Sequence, residues 1–157
     1  MKKGIIGILL GLIIFTGCLN FAYAESTNIQ TVEYYEDGSY LITTLTQNNI
    51  VGIGLLSTRS SKNETKKGHY YDSNGAIVWT ASITASFTFN GTTASCTTVS
   101  KSKTIYNNSW KCTSSSCYKS GATATGDFTF KHYVLGIPNK TINRTLTLTC
   151  DKNGNIT

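Results

Sequence analysis

The chain has one proline, two histidines and charged side chains at only 14% of its positions, and each scarcity excludes something. Its charges are dispersed, with no run of five like signs, so it has neither a polyelectrolyte tail nor the concentrated basic stripe that a phosphate backbone attracts. No nucleic-acid partner is expected. His69 and His132 are the only imidazoles, and the local signatures that would give a histidine or serine catalytic work are missing: there is no GxSxG and no HExxH. A glycine loop that cradles phosphate and a calcium loop with spaced acids are missing as well. Asp72 and Asp127 fall out of phase with any acidic partner, so a glycosidase carboxylate pair has no basis. Paired CxxC spacing is absent, which argues against tetrahedral zinc. The expected site therefore contains no catalytic residue, metal or cofactor. Finally, no stretch after residue 24 keeps a helical 3.6-residue period.

The first 24 residues are the exception to this polar sequence. Lys2 and Lys3 precede an apolar run from Ile5 to Phe15, and Ala22, Tyr23 and Ala24 follow. A positive start, an apolar middle and a small-x-small end form a secretory signal peptide, with cleavage expected after Ala24. The apolar run is shorter than the roughly 20 residues a spanning helix needs, so no transmembrane segment is expected in the mature chain. The alternative is a lipid anchor at Cys18, because Phe15 to Cys18 approximates a lipoprotein cleavage box. Residues 25–157 then form a single secreted domain whose formal charge falls from +6 to about +4 once Lys2 and Lys3 are removed.

Four cysteines remain in that domain: Cys96, Cys112, Cys117 and Cys150. An even number in an exported chain predicts two disulfides, with three connectivities open. The preferred set joins Cys112 to Cys117 around a short loop and Cys96 to Cys150, which lies in phase with Leu146 and Leu148.

What is present is alternation. From Ala76 to Asn90, Ile77, Trp79, Ala81, Ile83, Ala85, Phe87 and Phe89 take turns with serine, threonine and valine, the pattern of a half-buried strand. A second such stretch runs from Ala122 to Val134 and places Phe128, Phe130 and His132 on one face. A third, Lys140 to Cys150, aligns Ile142, Arg144, Leu146 and Leu148. Aspartate or asparagine before glycine at Asp37–Gly38 and Asn74–Gly75 marks hairpin turns. Residues 95–106 read as a polar edge strand guarded by Lys101 and Lys103, and residues 47–68 as a flexible loop. Leu135 to Asn139 is expected to be a turn. The sum is an all-β fold of seven to nine strands, an antiparallel β-sandwich immunoglobulin-like in architecture, closed over Trp79, Phe87, Phe128 and Phe130.

The stretches YYDSNG (Tyr70 to Gly75), FTFNG (Phe87 to Gly91), NNSW (Asn107 to Trp110), VLG (Val134 to Gly136) and LTCDKNG (Leu148 to Gly154), with VW at Val78 and Trp79, carry a resemblance. They are similar to a group of small uncharacterised secreted proteins of clostridial and related low-GC Gram-positive bacteria. That resemblance implies export and host type and carries no chemistry. The expected function is a secreted or cell-surface-associated interaction module without catalysis. A membrane-active, bacteriocin-like toxin is the alternative, and a hydrolase is less favoured. Tyr70, Tyr71, Lys101 and Lys103 are the candidate ligand contacts, because phenols offer apolar area with a hydrogen bond and lysines offer charge. Cell-wall glycan, a host surface or an anionic polymer are the partners this chemistry suits.

Overall fold

Alternation along the chain becomes eight antiparallel strands in the computed structural model, which describes residues 23–51 and 60–157. They are β1 (Tyr23–Tyr34), β2 (Tyr40–Val51), β3 (Ser60–Tyr71), β4 (Ile77–Phe89), β5 (Ala94–Ile105), β6 (Trp110–Ser120), β7 (Thr123–Val134) and β8 (Ile137–Thr149). The first five form one sheet and the last three another, each strand hydrogen-bonded to its neighbour in sequence. The expected all-β sandwich is therefore what the chain builds. Its strands follow one another as a meander, whereas immunoglobulin domains use Greek-key connections. The chain changes sheet between β5 and β6, where the amides of Tyr106 and Asn107 both donate to the Val78 carbonyl at 2.8 and 3.2 Å.

Period-2 patterning puts one face of each central strand in the core. On β4, Trp79, Ala81, Ile83, Ala85 and Phe87 are fully buried, and on β7 so are Ala124, Phe128 and Phe130. Aromatic rings form a continuous ladder through the middle: Tyr35 against Tyr70 (5.7 Å), Tyr70 against Trp79 (5.0 Å), and Trp79 stacked across the layers on Phe130 at 3.8 Å. Each such ring contributes about 2–3 kcal/mol by leaving water. A bulge between Tyr70 and Tyr71 pairs them with Trp79 and Ile77, so Val78 between is also buried.

Three turns share one geometry. In Tyr35–Ser39, Asp72–Ala76 and Asp151–Asn155 the first amide donates to the fifth carbonyl, and the glycine at position four donates back to the first carbonyl. That glycine has φ between 79° and 87°, a left-handed conformation that side chains resist. The sequence reading ended the last strand at Asp151 to Gly154. In the fold that turn sends the chain back, bridging Ile156 to Cys150 and burying Ile156.

Other expectations are corrected by the fold. The loop expected over residues 47–68 is strand at both ends, because β2 runs to Val51 and β3 starts at Ser60; its centre, 52–59, lies outside the described residues. Most of β3 escaped notice because its inward positions carry Glu64, Lys66 and Gly68 where an apolar alternation would need hydrophobes. The turn expected over Leu135 to Asn139 contracts to Leu135 and Gly136 at positive φ. Pro138 enters β8, an edge strand where a missing N–H is tolerated.

None of the four cysteines Cys96, Cys112, Cys117 and Cys150 is in a disulfide. Cys112 and Cys117 both lie in β6, and five extended residues put them roughly 16 Å apart, far beyond the ~7 Å that a disulfide spans. Cys96 and Cys150 do converge. Their amides donate to the adjacent carbonyls of Gly121 and Ala122, and both thiols are buried. The leader reading falls on residues outside the description up to residue 22, Cys18 included, and β1 begins at Tyr23. No helix among the described residues is long and apolar enough to cross a membrane.

Candidate functional site

Five strands cannot be covered by three. β8 lies over β3 and β4, and β5 lies against β6 and β7, while among the described residues no strand of the small sheet approaches β1 or β2 as closely. The inner face of β1 therefore overhangs, whereas Leu41, Thr43 and Leu45 of β2 are buried. Ile29, Thr31 and Glu33 of β1 pair with Leu45, Thr43 and Leu41 of β2, so all six point to the side where the small sheet ends. Beneath them opens a groove of about 470 Å³, walled by Ile29 and Thr31, floored by Leu45, Leu146 and Ile156, and bordered by Lys66 and Arg144. That volume is in the range of small-molecule sites.

The two cations are held differently. Arg144 on β8 donates through Nη1 to Glu33 Oε2 at 3.0 Å and through Nη2 to Thr43 Oγ1 at 2.7 Å, tying the small sheet to the overhang. Its Nε is buried with no hydrogen-bond partner. Lys66 on β3 donates to the Thr147 carbonyl at 2.8 Å, and among the described residues it meets no carboxylate. Glu64, two positions along the same face, sits 3.5 Å from Lys62. Burial first, and then the Arg144 charge, pull the Lys66 ammonium below its usual pKa. Two like charges thus face one apolar groove.

The sequence-predicted contacts are not brought together. Tyr70 is buried in the ladder, and Tyr71, on the opposite face as adjacent strand residues must be, stacks on Tyr40 at 4.9 Å. Lys101 spans to β6, donating to the Ser115 carbonyl, and Lys103 is exposed along the β5 edge. Tyr34 continues the outer row at 5.9 Å from Tyr40. Alongside it lies a shallow depression of about 290 Å³ lined by Thr44, Thr65, Lys67 and His69. His69, near the end of β3, is half-buried, its Nδ1 enclosed without a partner, and burial followed by the Lys67 charge lowers its pKa. His132 matches its expected place at the core edge, with Nδ1 2.7 Å from Asn139 Oδ1 and the ring against Trp110.

One cluster has the composition of a catalytic site. Lys140 Nζ donates to Asp37, to Ser39 Oγ (3.1 Å) and to Tyr70 OH (2.9 Å), while Tyr70 OH donates to Ser39 Oγ at 2.7 Å. A serine nucleophile would need a neutral base beside it. Burial works to lower the Lys140 pKa, but the Asp37 and Tyr70 hydrogen bonds outweigh it and raise it. The lysine is a fixed cation, and in turn, with help from Ser39, it holds Asp37 down at about 2. Ser39, itself buried, has every lone pair and its proton engaged. The cluster pins the β1–β2 turn to β8.

Among the described residues no group of three or more histidine, cysteine or acidic side chains is placed to hold a metal. Sequence reasoning placed Arg144 in phase with the core but missed the groove. Ile29, Leu45, Lys66, Leu146 and Ile156 are scattered over the chain, and only the unequal strand counts assemble them. Comparison with family models, curated proteins and solved structures finds no match.

Proposed function

We propose that this protein is an exported or surface-associated binding module without catalytic chemistry, and that it holds its ligand in the groove under the β1 overhang. One observation carries the reading: among the described residues no strand of the small sheet covers the inward face of β1, so that Ile29 stands open beside the groove while its partner Leu45 on β2 is buried. Ile29, at 49% exposure, sits where a further strand of the small sheet would bury it, and exposed apolar area of this kind marks interaction surfaces. Export rests on the leader-like first 24 residues, and the Lys140 cluster argues for rigidity at the end of the groove rather than for turnover.

The outer tyrosine row, Tyr34, Tyr40 and Tyr71, supports a second reading as a flat platform for a cell-wall glycan. A pair of variants separates the two. Nile red, a neutral dye that brightens in apolar sites, should bind the purified protein. Thr31→Trp, which fills the groove from an exposed position, should abolish that signal, whereas Tyr40→Ala should leave it intact. Failure of Nile red to bind, or its loss in Tyr40→Ala alone, overturns the groove reading. Retention of the protein on insoluble cell-wall glycan that is lost in Tyr40→Ala and kept in Thr31→Trp would move the ligand surface to the outer face.

A further inference from the structure

The charges around the groove restrict what can occupy it. Lys66 and Arg144 both border a cavity whose remaining lining is mostly aliphatic or threonine. The carboxylate paired with Arg144 is Glu33, on the exposed rim, and Glu64 is engaged with Lys62. Thr157 also lines the groove, yet among the described residues no carboxylate comes within ion-pair distance of Lys66. A half-buried cation without a counter-ion is costly, and a neighbouring like charge adds to the cost. Arg144 also holds an enclosed Nε proton with no acceptor, and a buried donor left unpaired costs more than an ordinary hydrogen bond returns. An anionic oxygen beside Lys66 would remove the first penalty and offset the repulsion from Arg144.

The rest of the cavity asks for something apolar. Ile29, Leu45, Leu146 and Ile156 form a continuous aliphatic lining, and about 470 Å³ accommodates on the order of fifteen water-sized groups. That is the bulk of one medium-length hydrocarbon chain. A membrane surface is the poorer fit, because the cations stand inside a cleft beneath an overhang and not on a flat basic face.

We propose that the groove binds a single-chain anionic amphiphile, its carboxylate received by Lys66 and Arg144 and its hydrocarbon chain lying along Ile29, Leu45 and Ile156. This rests on the reading of the groove as the ligand-holding surface and names the chemistry of what it holds. Partial burial makes the head-group contact only weakly sensitive to salt, unlike an exposed ion pair.

Competition against bound Nile red tests it. At pH 7.5, dodecanoate should displace the dye at about one tenth of the concentration that dodecanol requires. Lys66→Met should cut that preference several-fold, read as the ratio of dodecanoate to dodecanol within the variant so that any change in dye affinity cancels. Arg144→Lys, which keeps the charge but removes the fork that reaches Glu33 and Thr43, reports whether the guanidinium itself is needed and should also reduce the preference. Equal displacement by dodecanoate and dodecanol, with Nile red still bound, overturns the anionic head group and leaves the groove reading standing. Absence of dye binding overturns both. Co-sedimentation with phosphatidylglycerol vesicles that persists in Thr31→Trp would replace the single-chain ligand with a membrane surface. A preference unchanged in both charge variants would place the anion elsewhere.

Discussion

The two seams of the sandwich are built from similar parts and end in opposite states. On one side β5 meets β6: Lys101 donates to the Ser115 carbonyl, Lys119 to the Thr97 carbonyl, Cys117 sits against Val99, and the Cys96 amide bonds Gly121. Each edge strand thus offers a lysine to the other's carbonyls, and apolar atoms meet beneath. On the other side Lys66 and Arg144 also reach from sheet to sheet, yet among the described residues no strand of the small sheet packs under β1 and a groove remains. The difference lies in strand number and not in the seam chemistry, since three strands can cover one end of a five-stranded sheet and must leave the other. Cations bridging strand edges are compatible with either state, so packing decides whether a seam closes.

The largest effect should come from testing that packing directly. Trp79 is fully buried, stacks on Tyr70 and Phe130 and joins the two layers. Trp79→Ala is expected to cost about 3–5 kcal/mol in urea unfolding. Ile29→Ala on the overhang, where the side chain is half exposed, should cost no more than about 1 kcal/mol. Similar losses at the two positions would mean that the overhang is as well packed as the core, and the contrast between the seams would fail.

A smaller effect with the opposite sign is expected from Lys66→Met. Removing a half-buried cation that faces Arg144 relieves repulsion and desolvation, and the lost hydrogen bond to the Thr147 carbonyl is a single one. Stability should rise by up to about 1 kcal/mol, discounted for the solvent that reaches the ammonium. The equivalent change at the closed seam, Lys101→Met, should do nothing or destabilise slightly. A side chain whose removal stabilises the fold is kept for another purpose. A measurable loss of stability in Lys66→Met would make Lys66 an ordinary structural strut and remove the distinction.

How much of this was legible in the chain depends on where the information lies. Strands β4, β7 and β8 write their buried face as alternating hydrophobes, and of the core residues read from them Trp79, Phe87, Phe128, Phe130, Leu146 and Leu148 are buried, while Phe89, at the end of β4, is only partly buried. The adjacent pair Tyr70 and Tyr71 divides between core and surface because a strand leaves no other choice. Of β3 only the end, His69 to Tyr71, reads as strand, and the rest is hidden for the same reason that it matters: its inward face spends positions on Glu64, Lys66 and Gly68, residues that propensity assigns to loops. Gly68 lets Leu41, Ala81 and Leu146 close over the strand, each within 4 Å of where a side chain would begin. The groove was not legible at all, since it follows from five strands facing three and from a tail turn that returns Ile156 to the core.

The smallest expected effect concerns the end of the open seam, where the sheets are still held together. Asp37, at the β1–β2 turn, is paired with Lys140 of β8; the carboxylate is largely solvent-exposed while the lysine is mostly covered. Its carboxyl is lowered from 3.8 to about 2, first by the Lys140 hydrogen bond and then by Ser39. An acid whose folded pKa is depressed stabilises the fold above its unfolded value and loses that contribution as pH falls through the folded one. The contribution should therefore be complete above about pH 4 and gone by about pH 2. Exposure limits its size to at most about 1 kcal/mol. Asp37→Asn should be less stable than the parent chain at pH 6 by that small amount and equal to it near pH 2. A difference that persists unchanged to pH 2 would mean that Asp37 acts through its hydrogen bonds to Ser39 alone. The open seam would then be fastened to β8 by Arg144 and the buried Tyr70 hydroxyl, without help from the turn carboxylate.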